Sequence, residues 1–344
     1  MPRKTKMNSI TSPELLSKVN PHNLELIDDF AEYLESTNRS KSTIKTYTSD
    51  LKICFVWSLL YNDNKFYVDW SKRNIVRFQN WLINENGNSP ARVRRLRSSL
   101  SSLGNYIENV LDDEYPNYRN IINKIQAPPL EPVREKTVLS DEDVQSILDK
   151  FVSKDKIEAA CYIALAAYGG RRKAEICRFR VSDFSDEHLV CGGSLWKSSP
   201  IKTKGRGNGK FISCYTLVRK FKPYFDMWMN KRKELGIKSE WLFPDTEITN
   251  EDVPIGIAKV NSWMNSASKY IGKDIYAHAF RHYFTTMLSN EGIPDGVIKD
   301  IIQWKDISMV SVYVDRDNDD TIAMYFDEGG VKKDMVSKKD ISDI

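Results

Sequence analysis

Two of the four histidines in this 344-residue chain lie in one short segment, HAFRH, on either side of an arginine. On a helix, His278, Arg281 and His282 occupy positions i, i+3 and i+4, so the three side chains project from one face. Such a face could bind an anion or a metal ion, or it could serve packing alone. The segment has no glutamate in the HExxH pattern and no cysteine partner, and an arginine repels cations, so the pattern favours a phosphate over a metal.

Two further segments contain side chains with the chemistry that a phosphate site needs. In GGRRKAEI, Glu175 follows Arg172 by three residues, so its carboxylate could orient that guanidinium. In IIQWKDISMVSVY, Trp304 precedes Tyr313 by nine residues. Taken alone, Trp304 would be assigned to the core, and Tyr313 is one of 16 tyrosines. The order and spacing of the segments make them informative.

Together, these segments resemble the motif boxes of the tyrosine recombinases, the family that includes the phage integrases, the Xer resolvases and Cre. The resemblance covers nearly the whole chain. It implies a catalytic set of Arg172, His278, Arg281, Trp304 and Tyr313, supported by Glu175. Arg171 is an alternative to Arg172, but the offsets to Gly170 and Glu175 fit the family box better for Arg172. The family usually has a histidine at the position of Trp304, and Cre-like members have a tryptophan there.

The resemblance also implies a catalytic lysine on a β-hairpin of the same domain. Lys202 and Lys204, in PIKTKGRGNGK, could both fill this role. We favour Lys202, because it lies further from the glycine-rich turn. His282 is predicted to support the site or to pack in the core rather than to contact the phosphate.

The implied reaction explains why these residue types are needed. A phosphodiester is anionic, and attack at phosphorus adds negative charge that two arginines can bind bidentately, while a histidine and a tryptophan add donors. Tyrosine has a pKa of about 10 and is protonated at neutral pH, so it needs a positive neighbourhood to attack. The lysine would protonate the leaving 5′ oxygen. The product implied by the family is a 3′-phosphotyrosine, formed without metal, ATP or another cofactor.

The composition is typical of a soluble globular protein, with 41% hydrophobic and 28% charged residues and no apolar run of bilayer length. Five cysteines without CxxC spacing argue against a zinc ribbon or a disulfide framework and suit a reducing compartment. The basic N-terminus lacks the apolar segment of a secretory signal. We therefore expect a cytoplasmic protein that associates with the nucleoid and not with a membrane.

The fold class is predicted to be mainly α (α+β). A flexible tail (1–20) precedes a helical domain (21–125), a proline-bearing linker (126–136), a catalytic domain of helices with a small antiparallel β-sheet (137–330) and a polar tail (331–344). The helical domain resembles the family's SAM-like core-binding domain, because Thr43, Tyr47 and Leu51 match its Thr-x-x-x-Tyr-x-x-x-Leu pattern.

Residues 1–130 account for the net charge of +4, and the stretch from Lys65 to Arg97 has eight basic residues against two acidic ones. Ser89 and Pro90 begin a helix with an apolar stripe, and its arginines fall mostly off that stripe. Such a helix is suited to a DNA groove, although a solvated surface helix can have the same pattern. The predicted DNA-binding residues are Lys41, Lys45, Arg92, Arg94, Arg95 and Arg97.

The function implied by the resemblance is site-specific DNA recombination through a Holliday junction. The expected partners are double-stranded DNA with an inverted-repeat core site, three further copies of the chain on two such sites, and possible accessory DNA-bending proteins. Two alternatives are a type IB topoisomerase, which would relax DNA without site choice, and a DNA-binding regulator without catalysis. The set of Arg172, His278, Arg281 and Tyr313 argues against the regulator.

Overall fold

The computed structural model describes residues 10–129, 137–203, 209–248, 250–313, 326–327 and 330–331, with side chains up to residue 310. Within these ranges the chain divides into two compact units. The first unit comprises residues 10–129, and the second begins at residue 137. Each unit has its own hydrophobic core.

The first unit is built from helices. They are α1 (Pro13–Leu16), α2 (Pro21–Ser36), α3 (Lys41–Tyr61), α4 (Lys72–Asn80), which continues as a π-helical turn (Trp81–Glu85), and α5 (Pro90–Val110). Ser40 and Ser89 begin α3 and α5, each accepting a hydrogen bond from the backbone N–H three residues on. The predicted stripe of α5 is buried to within 1% exposure: Val93, Leu96, Leu100, Leu103 and Ile107. This face packs against α3.

The described part of the predicted N-terminal tail packs with the first unit. Ser12 caps α1 by accepting a hydrogen bond from the N–H of Leu15 at 3.2 Å. Val19 is 3% exposed and lies in the core. Two apolar contacts and a cap are enough to order so short a segment against a larger helical body.

The second unit is mainly helical. Its helices are α6 (Asp141–Ser153), α7 (Ile157–Gly169), α8 (Lys173–Ile176), α9 (Val218–Glu234), α10 (Ile257–Ile271), α11 (Ala277–Asn290), α12 (Asp295–Ile302) and α13 (Ser308–Tyr313). Helix α7 is buried all round from Ala159 to Gly169 and packs against α6, α9 and α11. None of the helices in the described ranges is long and apolar enough to cross a bilayer.

The strands of the second unit are short: β1 (Leu189–Val190), β2 (Leu195–Lys197), β3 (Ile201–Thr203), β4 (Lys210–Ile212), β5 (Tyr215–Leu217), β6 (Phe326–Asp327) and β7 (Gly330–Val331). The predicted hairpin is present as β3 paired antiparallel with β4. It is separate from the antiparallel sheet β1–β2–β5, and β6 pairs with β7. One backbone hydrogen bond lies between the sheet and the hairpin: the N–H of Ser198, after β2, donates to the carbonyl of Cys214, before β5, at 2.9 Å.

Gly170 ends α7 in the left-handed conformation, with a φ of 60°, at a point where α7 meets α11. A Cβ at this position would overlap with the ring of Phe284 and lie 3.0 Å from Cδ1 of Ile302. We expect Gly170→Ala to reduce the free energy of unfolding by about 3 kcal/mol, through backbone strain and displacement of a core aromatic ring.

The matched control is Gly272→Ala. Gly272 ends α10 with a φ of 70°, but an added Cβ meets nothing within 4 Å. Gly272→Ala should therefore lower the free energy of unfolding by about 1–2 kcal/mol, through backbone strain alone. The two variants are compared by their thermal unfolding midpoints. Equal shifts would show that the contact between the new Cβ and Phe284 does not affect stability.

Candidate functional site

The start of α8 presents a guanidinium held by a buried carboxylate. The backbone N–H and the guanidinium of Arg172 donate to Glu175 at 3.1 Å and 2.9 Å. The hydroxyl of Thr203, on β3, donates to the same carboxylate. Burial alone would raise the pKa of Glu175, but the hydrogen bonds from Thr203 and Arg172 outweigh burial and lower it. The charged Glu175 thus orients Arg172, whose side chain remains 46% exposed.

His278 and His282 lie one turn apart near the start of α11, with ring centroids 5.5 Å apart and planes nearly perpendicular. The ring of His278 still meets solvent, but partial desolvation, followed by the positive charges of Arg281, His282 and Arg172, lowers its pKa to about 4. His278 is therefore neutral at pH 7, with one of its two ring nitrogens protonated. The two motif segments also meet directly, because the guanidinium of Arg281 donates to the carbonyl of Gly170.

Arg281 is placed differently from Arg172, because its side chain is fully buried. Its Nη1 donates to the carbonyl of Gly170 at 3.1 Å, and its Nη2 lies 3.4 Å from the carbonyl of Ile302. The guanidinium carbon also lies 5.2 Å from the centre of the Trp304 ring. In this state Arg281 joins the end of α7, the end of α12 and Trp304.

Trp304 and Tyr313 follow α12 at the end of the described chain. Trp304 is 8% exposed, and its backbone N–H donates to the carbonyl of Lys299 at 2.9 Å. Tyr313 is the last residue of α13, which packs against α11 and α12. The Tyr313 side chain lies outside the described residues, so its role as nucleophile remains a prediction. Its backbone belongs to a helix that contacts the helix of His278 and Arg281.

The lysine candidates lie on and beyond β3. Lys202 is exposed and projects from the face opposite to Thr203, because side chains alternate along a strand. Its side chain extends toward Gly209, since a Cβ added to Gly209 would lie 2.8 Å from the Cε of Lys202. Lys204 lies outside the described residues. The choice between the two lysines therefore remains a prediction.

In the first unit, two of the predicted DNA-binding arginines share one buried carboxylate. Asp50, on α3, is 1% exposed and accepts hydrogen bonds from Arg92 at 2.6 Å and from Arg95 at 3.2 Å. Ser99 adds a third hydrogen bond at 3.1 Å. The side chains of Arg92 and Arg95 remain 28% and 55% exposed. Asp50 therefore holds two cations at the surface where α3 meets α5.

The remaining predicted DNA-binding residues divide into exposed and internal groups. Lys41 and Lys45 are exposed in the first turns of α3. Arg94 is half-buried and donates to the carbonyl of Pro128 at 2.7 Å. Arg97 departs from the predicted arginine face, because it is 6% exposed and donates to Gln79 at 2.7 Å. It also donates to a backbone carbonyl that follows α5, so its contacts are those of a structural residue.

Sequence reasoning missed two buried charged side chains, one in each unit. Arg171 was weighed only as a substitute for Arg172, yet it is 1% exposed and bonded to the end of α12. Asp50 was not singled out, although it directly precedes Leu51 of the Thr-x-x-x-Tyr-x-x-x-Leu pattern and a buried carboxylate needs cationic partners. Among the described residues, no group of three or more His, Cys, Asp or Glu side chains is arranged to hold a metal ion.

Two family profiles match the chain, one in each unit. The profile described as the phage integrase family matches residues 137–319. The profile described as the N-terminal SAM-like domain of phage integrases matches residues 26–117. The first match includes every candidate catalytic residue, and the second includes every candidate DNA-binding residue.

Similar proteins include the SPbeta prophage-derived recombinase-like protein YomM of Bacillus subtilis, which is 27% identical over 75% of this chain and 76% of its own length. A tyrosine recombinase of Thermosipho africanus is 24% identical over 84% of this chain and 94% of its own length. Among solved structures, XerH recombinase bound to palindromic difH substrate matches with a TM-score of 0.63 and 18% identity, covering 90% and 89% of the two chains. A lambda integrase tetramer bound to a Holliday junction matches with a TM-score of 0.63 and 17% identity, covering 85% and 77%.

Proposed function

Because the chain belongs to the phage integrase family and is a tyrosine-type site-specific recombinase, we propose that it cleaves DNA through a covalent bond to Tyr313. The tyrosine hydroxyl loses its proton to solvent, its oxygen attacks the phosphorus of a phosphodiester, and the bond to the 5′ oxygen breaks. The 5′ oxygen takes a proton from Lys202 and leaves as a hydroxyl. The resulting 3′-phosphotyrosine retains the energy of the broken bond, so a 5′-hydroxyl from another strand reverses the step without ATP or metal.

The observation that carries this proposal is the group of cationic side chains around His278 on α11, the helix against which α13 packs. Arg172 and His278 meet solvent, and Arg172, Arg281 and His282 lie close enough for their charges to lower the pKa of His278. A phosphate bound there would add negative charge to a site with an excess of positive charge. The phosphate would raise the pKa of His278, whereas the neighbouring cations lower it. Contact between phosphate and Arg281 requires its buried guanidinium to exchange a backbone carbonyl for the ligand.

The proposed substrate is duplex DNA with an inverted-repeat core site. The fold shared with XerH on its DNA substrate and with the lambda integrase tetramer on a Holliday junction supports this substrate class. We propose that four copies act on two sites and exchange strands in pairs through such a junction. The surface around Asp50 would contact phosphates, and the second unit would contribute the nucleophile.

The test needs no known target site. The full-length protein is expressed in cells, the cells are lysed in SDS, and DNA that remains attached to the protein is recovered and sequenced. One recurring inverted-repeat sequence, trapped equally well with EDTA present, is the expected result. Attachment scattered along all DNA would favour a topoisomerase, and no attachment would favour a DNA-binding protein without catalysis.

Asp50→Asn is expected to weaken DNA binding even though it makes the protein more positive. Loss of the carboxylate removes two charge-assisted hydrogen bonds, so Arg92 and Arg95 lose their fixed orientation. We expect the affinity for target DNA to fall about tenfold, and the slope of log K against log salt to decrease in magnitude by about one to two. Fluorescence anisotropy at several salt concentrations measures both quantities.

The control for Asp50→Asn is Asp28→Asn, which makes the same charge change at an exposed position of α2. It should leave affinity unchanged or slightly increased. If both variants gain affinity, Asp50 does not orient the arginines for DNA, and the surface acts through net charge alone.

A further inference from the structure

The end of α12 is capped by an arginine from a distant part of the chain. An α-helix leaves its last four carbonyl oxygens without partners inside the helix. At α12, the carbonyl of Lys299 accepts from the N–H of Trp304 at 2.9 Å, and that of Asp300 accepts from Gln303 at 3.3 Å. The last two carbonyls, of Ile301 and Ile302, accept hydrogen bonds from Arg171.

The free-energy cost of burying Arg171 indicates that its position at the end of α12 serves a function. The side chain is 1% exposed, and its Nε has no partner within the described ranges. A buried guanidinium is expensive to desolvate, and within the described ranges the hydrogen bonds of Arg171 go to the end of one helix. The partial negative charge at a helix C-terminus compensates part of this cost. The placement of Arg171 is thus tied to the end of α12.

The segment after this cap contains the remaining candidate catalytic residues. Gln303 follows α12 in the left-handed conformation, with a φ of 62°, and directs the chain into Trp304 and α13. We propose that Arg171 is a positioning residue that fixes the end of α12 and thereby the location of Trp304 and Tyr313. This inference rests on the proposed function, because it assigns a role to Arg171 in the same strand-cleavage reaction.

Arg171 and Arg281 both donate hydrogen bonds to the carbonyl of Ile302. Arg171 donates to this oxygen at 3.2 Å, whereas Nη2 of Arg281 lies at 3.4 Å, the longer of the two contacts. When Arg281 turns to a phosphate, the carbonyl keeps Arg171 as a donor. The helix end is then held in place while Arg281 changes its partner.

The test compares Arg171→Lys with Arg232→Lys in the full-length protein. Arg232 is also buried, at 5% exposure, and also donates to backbone carbonyls, including those of Trp241 and Leu242. It therefore matches the loss of a buried guanidinium without touching the segment before Tyr313. Covalent complex formation is measured in single turnover on saturating target DNA, together with DNA affinity and hydrogen exchange of residues 301–313.

We expect Arg171→Lys to lower the cleavage rate about 100-fold, since misplacement of a reacting group by about 1 Å has that effect. DNA affinity should change less than about threefold, and amides of residues 301–313 should exchange faster, while those of α7 keep their protection. Arg171→Gln, which retains a neutral donor, should show the same pattern and replaces the lysine variant if that variant does not fold.

Three results would overturn the inference. Cleavage by the Arg171 variants could fall no further than cleavage by Arg232→Lys, or cleavage could fall in parallel with DNA affinity. Alternatively, exchange of residues 301–313 could remain unchanged. If the wild-type protein itself forms no covalent complex, the proposed function fails, and hydrogen exchange alone still decides whether Arg171 anchors this segment.

Discussion

Replacing Tyr313 with phenylalanine is expected to abolish covalent attachment to DNA while leaving DNA affinity nearly unchanged. The substitution removes one hydroxyl, and we expect the single-turnover cleavage rate to fall by about 10⁴-fold or more, as for other removed nucleophiles. The side chains that would bind the scissile phosphate, including Arg172 and His278, remain in place. The variant should therefore still bind target DNA and still assemble on it.

The measurement is the yield of SDS-resistant protein–DNA complex on a duplex that contains the target site, compared with the affinity from anisotropy. Tyr215→Phe, at a half-buried tyrosine on β5 of the same unit, controls for the loss of any tyrosine hydroxyl. Attachment that persists in Tyr313→Phe would show that another residue is the nucleophile. Loss of attachment together with loss of affinity would instead give Tyr313 a role in binding.

The sequence predicted helices and their buried faces well, because apolar periodicity has a direct physical cause. In α5, a serine cap, a proline in the first turn and five apolar residues at helical spacing predict the start and the core face, and the structure confirms both. In α11, Phe280 and Phe284 lie one turn apart and are likewise buried. These features depend on neighbours within one or two turns.

The sequence could not predict which arginines meet solvent. Arg95 and Arg97 lie two residues apart on α5, yet one is 55% exposed and the other is buried. The difference arises from partners in other parts of the chain, a carboxylate on α3 for Arg95 and a carbonyl after α5 for Arg97. Periodicity places a side chain on a face of its helix, but the partner on that face comes from tertiary structure.

The same reason explains what was and was not foreseen at the candidate site. The i, i+3 spacing predicts the bond between Arg172 and Glu175, and the structure contains it. The bonds of Arg171 and Arg281 to the end of α12 join segments that are distant along the chain, so no local pattern contains them. A resemblance of motifs indicates which residues meet, but not which of them also cap a helix.

Arg172→Lys and Arg281→Lys are expected to reduce cleavage by similar factors but to differ in stability. Each should lower the single-turnover rate by about 10³-fold, because an ammonium cannot bind two phosphate oxygens as a guanidinium does. Arg172 is half exposed, and a lysine in its place can still pair with Glu175, so the thermal midpoint should hardly change. Arg281 is buried and bonded to two carbonyls, so its replacement should cost about 2 kcal/mol of stability.

The contrast between these two variants separates catalysis from folding. If Arg281 served only to join α7, α12 and Trp304, Arg281→Lys would cleave DNA normally once assayed well below its melting temperature. If it binds the scissile phosphate, the loss of cleavage persists at every temperature at which the protein is folded. The double variant sharpens the distinction, because two residues that act on one phosphate show strongly non-additive effects on rate. A purely structural role for Arg281 would leave the effects on rate and on stability additive and independent.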